Sequence, residues 1–226
     1  MKPAIRCLPF CVASGPVQMA ADEVLLESAL AGTASLRVYA WEPATVSLGY
    51  FQKHAERLRH PRLAAYPWVR RATGGGAIVH DRDLTYAVAL PPRWLEGIVP
   101  ACWHDRLHRA LAELLGRCGV PASVVCGERS RPQEQDYLCF AVPQPGDVVV
   151  QGVKIVGGAQ RLRLGALMQH GSIQHPRAWE LAQELPAAWA GLLGWLAVPG
   201  DWTPAERRRI GELADKYASD AWNLRR

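Results

Sequence analysis

Lys154 lies in "GVKIVGGAQ" (152–160), bracketed by Val153 and Ile155 and followed by paired glycines. The chain has four lysines against 22 arginines, so a lysine inside an apolar strand stands apart from the generic surface cations. Two readings are open. The stem packs on its apolar neighbours while the ammonium snorkels to water, or the ammonium is a semi-buried cation in a cleft, holding a carbonyl or phosphate oxygen. A second stretch, "RRATGGGAIVHDRDLTYAVAL" (70–90), sets Arg70 and Arg71 and then Gly74, Gly75 and Gly76 before a strand-like run. Three consecutive glycines forfeit side-chain packing, so the backbone there needs positive φ angles or close approach by another backbone or a ligand. A P-loop would need GxxxxGK followed by Ser or Thr, and a dinucleotide fingerprint GxGxxG leading into a helix; neither spacing is present. Backbone N–H groups and guanidinium donors at such a run can hold an anion. A plain hairpin bulge is the alternative.

The elements that must position these groups alternate between helix and strand without an internal repeat. Apolar spacing predicts a helix over 18–32, stopped by Gly32, and an amphipathic helix over 104–120, stopped by Gly119. "SLRVYAW" and "TVSLGY" read as two strands or a hairpin about Glu42-Pro43, and "WVRRATGGGAIVH" and "LTYAVAL" as two further strands across the turn "DRD". Asp81 is therefore read as a turn residue. Residues 147–173 read as three strands joined at Gln151-Gly152 and around Arg163 to Gly165, and two helices follow, over "RAWELAQEL" and "TPAERRRIGELADKYA", the second with Thr203 as N-cap and Pro204 at its first position. The fold class expected is α+β: mixed, largely antiparallel sheets flanked by helices. The polar segment 126–136 is read as a mobile loop, and no linker divides the chain, so residues 1–226 are expected to form a single domain.

Composition removes several function classes. At 226 residues, 49% hydrophobic and 21% charged, the chain can bury a core of its own. A net charge of +5 with dispersed arginines does not make a nucleic-acid surface, and "ERRRI" (206–210) is read as a solvated helix face. The longest apolar run, Ala187 to Val198, is too short for a bilayer and is read as a buried helix. The proline-broken N-terminus does not make a secretory signal, so the expected location is the cytoplasm, with no membrane partner. Six cysteines without a CxxC pair suggest no metal site and mostly small buried hydrophobes.

Taken together, "RRATGGGAIVHD", "GVKIVGGAQ" and "QHGSI", in that order, resemble the lipoate-protein ligase and octanoyltransferase family, relatives of the biotin ligase catalytic domain. "WEPATVSLGYFQ" (41–52) and "KYASDAWN" (216–223) extend the resemblance over nearly the whole chain. It implies a class II biotin/lipoate ligase-like catalytic domain without an accessory C-terminal domain. It also implies that the arginine-glycine loop, through Arg70, Arg71, Gly74, Gly75, Gly76 and His80, folds over an acyl chain and its activated carbonyl end. Lys154 would hold the acyl carbonyl or acyl-phosphate oxygens. Gly157, Ala159, Gln160, His170 and Gly171 would line the same pocket; His170 taken alone reads equally well as a hydrogen-bonded core histidine.

Two chemistries share this scaffold. A ligase makes lipoyl-adenylate from free lipoate with ATP and Mg; a transferase takes octanoate from acyl carrier protein and needs no cofactor. Cys139, in "YLCFAVPQPGD", resembles the nucleophile of the cysteine-dependent octanoyltransferase branch, where simple ligases often carry an Asn-Asp pair. A thiol beside an ammonium can supply the attacking thiolate; a cysteine that merely packs is the alternative. The acceptor implied is a lysine of a lipoyl domain or H protein. A non-catalytic binder of lipoylated proteins is a further reading, which Lys154 and the arginine-glycine loop disfavour.

Overall fold

The computed structural model describes residues 2–127 and 137–226. In chain order its elements are β1 (Ala4–Cys7), β2 (Cys11–Ala13), α1 (Gly15–Leu30), β3 (Ser35–Trp41), β4 (Thr45–Leu48), α2 (His54–Arg57), α3 (Pro61–Ala64), β5 (Trp68–Arg70), β6 (Ile78–His80) and β7 (Leu84–Leu90). There follow α4 (Pro100–Arg117), β8 (Ser123–Val124), β9 (Val148–Val150), β10 (Val153–Arg163), β11 (Ala166–Ile173), α5 (Leu185–Leu192), β12 (Leu196–Pro199), α6 (Pro204–Ala218) and α7 (Asp220–Asn223). The predicted loop 126–136 lies from residue 128 onward outside the described residues; Cys126 before it is exposed.

Every residue of β3, β7 and β11 is buried, which requires cover on both faces of the sheet they share. Along β7, Leu84, Tyr86, Val88 and Leu90 face a core built with Leu107, Leu111 and Trp189 of α4 and α5. Ala87 and Ala89 face the opposite core, with Leu25 and Leu26 of α1 and Tyr217 of α6. Small residues on that side let α1 approach the sheet closely. Among the described residues the large sheet runs β12-β1-β3-β7-β11-β10-β9-β8, with β2 also on β3, and a three-stranded sheet runs β5-β4-β6. Pairings from β3 through β8 are antiparallel, while β12, β1, β2 and β3 associate in parallel. The architecture is the expected helices on mixed, largely antiparallel sheets.

Three local readings change. β3 and β4 are two strands but not a hairpin, because past the cis Glu42-Pro43 peptide the chain leaves the large sheet and β4 becomes the centre of the small one. "WVRRATGGGAIVH" is likewise two strands: β5 and β6 flank β4 without pairing to each other, so the glycine loop is no hairpin bulge. The apolar run from Ala187 divides, since Gly194 turns the chain at a φ of 78° and Leu196–Pro199 pairs with β1 as an edge strand. "RAWELAQEL" holds only a 3-10 turn over Pro176–Leu181. Helix α6 starts as expected: Thr203 and Glu206 form a reciprocal capping box ahead of exposed Arg207, Arg208 and Arg209.

The β9–β10 and β10–β11 hairpins turn through Gln151-Gly152 and Leu164-Gly165, each pair with both φ angles positive. Leu164 holds a φ of 45° with its side chain 82% exposed, so it bears the left-handed strain of about 1 kcal/mol without a packing return. Leu164→Asn is expected to raise the free energy of unfolding by roughly 0.5–1 kcal/mol, read as a higher urea midpoint at unchanged slope.

Candidate active site

The β9–β10 hairpin brings Lys154 back toward the segment that precedes β9. Its side chain is 4% exposed, and Nζ lies 2.8 Å from Asp147 Oδ2. The same nitrogen donates to the Cys139 carbonyl at 2.8 Å and to Cys139 Sγ at 3.5 Å. The ammonium is therefore buried and does not snorkel. Asp147 also accepts the Gln144 backbone N–H at 2.8 Å, which fixes the carboxylate. Sequence reasoning missed Asp147 as a partner; its signal was the turn at Gln151-Gly152, which folds the residues before β9 onto the start of β10.

Cys139 is held by the glycine loop. The Ala77 N–H donates to Tyr137 O at 2.7 Å and the Cys139 N–H to Ala77 O at 2.9 Å, so residues 137–139 run beside the end of the loop. A Cβ on Gly76 would lie 2.7 Å from the Cys139 nitrogen, which explains that glycine by close approach of a second backbone. Gly75 takes a φ of 95°. The two arginines before the loop do different things. Arg71, 4% exposed, donates from Nη1 to Ser47 O and Oγ at 2.8 and 2.7 Å and from Nη2 to Gly74 O and Gly76 O at 3.1 and 3.0 Å. Burial pushes its pKa down to about 10, with the nearby Cys139 charge acting the other way. Arg70 points away from this site: its guanidinium donates to the carbonyls of Gly49, Tyr50, Gln52 and Asn223, seating the C-terminal segment.

Arg71, Gly75, His80, Cys139, Gly157, Ala159, His170 and Gly171 line one cleft of about 390 Å³, its open mouth included. Met19, Tyr39, Trp41, Ile78, Gly158, Thr85 and Ser172 complete it. Its floor is a row of paired residues, Tyr39, Thr85, Ser172 and Gly157, crossing β3, β7, β11 and β10. Three strand spacings make that floor roughly 14 Å long. Lys154 reaches the Gly157 end, because a Cβ on Gly157 would lie 2.6 Å from Lys154 Cε and 3.6 Å from Cys139 Sγ. Gln160 is drawn elsewhere, its amide donating to Pro100 O and Gln169 Oε1, and Gly74 faces Phe51.

Both histidines are anchored at each ring nitrogen. His80 bonds Asp83 through Nδ1 and Ser47 through Nε2, each at 2.7 Å, and stacks on Trp41 at 4.0 Å. His170 bonds Asp22 through Nδ1 at 2.7 Å and Thr73 through Nε2 at 2.6 Å. Thus Ser47, Thr73, Asp22 and Asp83 belong to the site's frame, although nothing local in the sequence marks them. Asp81 is exposed at the turn before β7. Among the described residues no cluster of His, Cys, Asp and Glu could hold a metal ion, and no helix is long and apolar enough to cross a membrane.

Residues 14–175 match the lipoyl protein ligase A/B catalytic domain. The chain belongs to that family. It is 30% identical to the octanoyltransferase LipM of Kyrpidia tusciae, covering 94% of this chain and 96% of the relative, and 30% identical to that of Moorella thermoacetica, covering 98% of each. Among solved structures, a lipoate-protein ligase A bound with ATP superimposes at a TM-score of 0.78 and 23% identity over 99% of both chains. A bi-partite lipoate protein ligase from Thermoplasma acidophilum, solved with its E2 lipoyl domain, superimposes at 0.71 and 22% identity over 99% of this chain and 96% of that one. These structures establish the lipoate ligase catalytic fold.

Gly157→Ala is expected to displace the flexible Lys154 head rather than any backbone, costing at least tenfold in acyl transfer with little change in urea midpoint. Burial lowers the His170 pKa despite Asp22, so between that value and the ordinary ~6.5 the unfolded chain binds the proton and the folded one does not. Stability should fall as pH drops through this window, and denaturation series at pH 7.5 and 5.5 should show a smaller fall in His170→Gln.

Proposed function

We propose that the protein is an acyltransferase of protein lipoylation that moves an octanoyl group onto a lysine of a lipoyl domain or H protein, through a thioester on Cys139. The observation that carries this reading is Cys139 Sγ, 3.5 Å from the buried Lys154 Nζ, at one end of a cleft laid across four strands. An extended octanoyl chain spans roughly 9 Å at about 1.25 Å per bond, which a floor of roughly 14 Å accommodates. Kinship with the octanoyltransferases LipM supports transfer of an octanoyl group.

In the first half-reaction the Cys139 thiolate attacks the carbonyl carbon of octanoyl-acyl carrier protein. The Lys154 ammonium stabilises the oxyanion, the donor C–S bond breaks, and the departing thiolate takes a proton. In the second, the neutral amine of the acceptor lysine attacks the acyl-Cys139 carbonyl. Its proton passes to the sulfur as the C–S bond breaks, which leaves an amide and a free thiol. Neither step requires a cofactor, and the setting is the cytoplasm. Arg70, Gln160 and Gly74 are not assigned to the acyl group in this reading; Arg71, Gly75, His80, Gly157, Ala159, His170 and Gly171 are.

An ATP-dependent ligase working with Mg and free lipoate is the competing chemistry on this fold. The donors of Arg71 are committed to protein oxygens rather than turned to a nucleotide phosphate, which favours the transferase. Incubation with octanoyl-acyl carrier protein without ATP should add one octanoyl group to the intact protein. Cys139→Ser should abolish that adduct, and Lys154→Ala should slow transfer by on the order of 10²-fold, as loss of one oxyanion donor does elsewhere, with the circular dichroism spectrum unchanged. Activity that demands ATP and free lipoate, with Cys139→Ser fully active, would replace this reading by the ligase.

A further inference from the structure

The cation nearest the Cys139 sulfur is not the one with charge to spare. Lys154 and Asp147 form an ion pair at 2.8 Å with side chains 4% and 7% exposed. To a thiolate 3.5 Å from Nζ that pair offers a directed N–H, but its charges sum to zero. Burying the extra negative charge of a thiolate would still be costly. Arg71 differs: its side-chain N–H groups meet two glycine carbonyls, one serine carbonyl and one serine hydroxyl. No carboxylate pairs with it among the described residues. A guanidinium surrounded only by neutral acceptors, and buried, carries an unbalanced positive charge.

We propose that Arg71 is the counter-charge of the Cys139 thiolate, and that Lys154, balanced by Asp147, aims and donates without supplying the net charge. The assignment rests on Cys139 being the acyl-accepting nucleophile. Arg71 and Cys139 line the same cleft, and Arg71 Nη2 bonds the carbonyl of Gly76, the residue pressed against the Cys139 backbone. Burial drives the guanidinium down, and among the groups that oppose this the Cys139 charge is the largest. The other groups facing the cleft cannot substitute. His80 is backed by Asp83, and His170, which burial keeps short of its proton, is backed by Asp22. Tyr39 is buried with its pKa raised well above the ordinary value and adds no positive charge.

The test is the pH dependence of iodoacetamide alkylation at Cys139 in the full chain, read from the mass of the Cys139 peptide so that the other five cysteines do not interfere. It needs no acyl donor, so its outcome is separate from that of the octanoyl mass assay. Arg71→Gln should move the alkylation midpoint up by about one pH unit or more, the size of one lost opposite charge at close range. Asp147→Asn should move it down, because Lys154 is then no longer balanced, and the double variant should return toward the wild type. Arg71→Lys, which keeps the charge but gives up the fork, should stay within a few tenths of a unit of the wild type. If Arg71→Gln does not fold, the double variant Lys154→Met/Asp147→Asn decides: it removes the ion pair with no change of net charge, so the midpoint should rise by well under one unit, and a rise of one unit or more returns the role to that pair. A midpoint that rises in Asp147→Asn, or that stays in place in Arg71→Gln, overturns the proposal and returns the role to the Lys154–Asp147 pair.

Discussion

The guanidinium of Arg71 is the fork on which the site hangs. One of its nitrogens binds β4 at Ser47; the other closes the glycine loop by taking the Gly74 and Gly76 carbonyls. The loop so fixed presents Ala77 to residues 137–139, and that pairing, with the bond from Lys154 to the Cys139 carbonyl, positions the sulfur beside β10. A lysine there would keep the charge but reach fewer of the four acceptors, whose angles suit a planar array of donors. Removing it would orphan buried carbonyls at about 1–3 kcal/mol each.

Around this fork the protein buries polar groups in linked sets. Asp22 takes His170 and the Tyr39 hydroxyl and faces Arg37, which is bonded to Gln18 and stacked on Tyr39 at 3.8 Å. Asp83 takes His80, Ser172 and Thr85. Each set costs desolvation that only near-complete hydrogen bonding offsets. Their effect is rigidity: through Asp22 and Asp83 the elements α1, β3, β6, β7, β11 and the glycine loop are tied to one another. A cleft walled in this way keeps its shape.

The large sheet then contributes something no single element can. Its floor residues come from four strands far apart in sequence, Tyr39, Thr85, Ser172 and Gly157, and they face one way only because the antiparallel register is in phase. A one-residue slip of β11 would turn Ser172 and His170 into the α4 core and destroy the cleft. The placement of Lys154 on β10 and of the 137–139 segment beside it thus depends on a register enforced by apolar residues on the other face, such as Tyr86 and Leu167.

The sequence by itself determined the helices with clear stops, the two hairpins after Val148 and the α+β class, and it singled out the lysine strand and the glycine loop. Those signals are local: a glycine that stops a helix, an N-cap threonine before a proline, a cation where apolar residues belong. Tertiary structure decided the rest. It separated Arg70, the last residue of β5, from Arg71 beyond it, one toward the C-terminal segment and one toward the cleft. It set Asp147 on Lys154 and placed Ser47, Thr73, Asp22 and Asp83 behind the histidines, pairings made across as many as 148 residues of chain. It also split the run after Ala187 into helix and edge strand. Apolar periodicity says that a segment is buried, whereas which partner it is buried against follows from packing the whole chain at once.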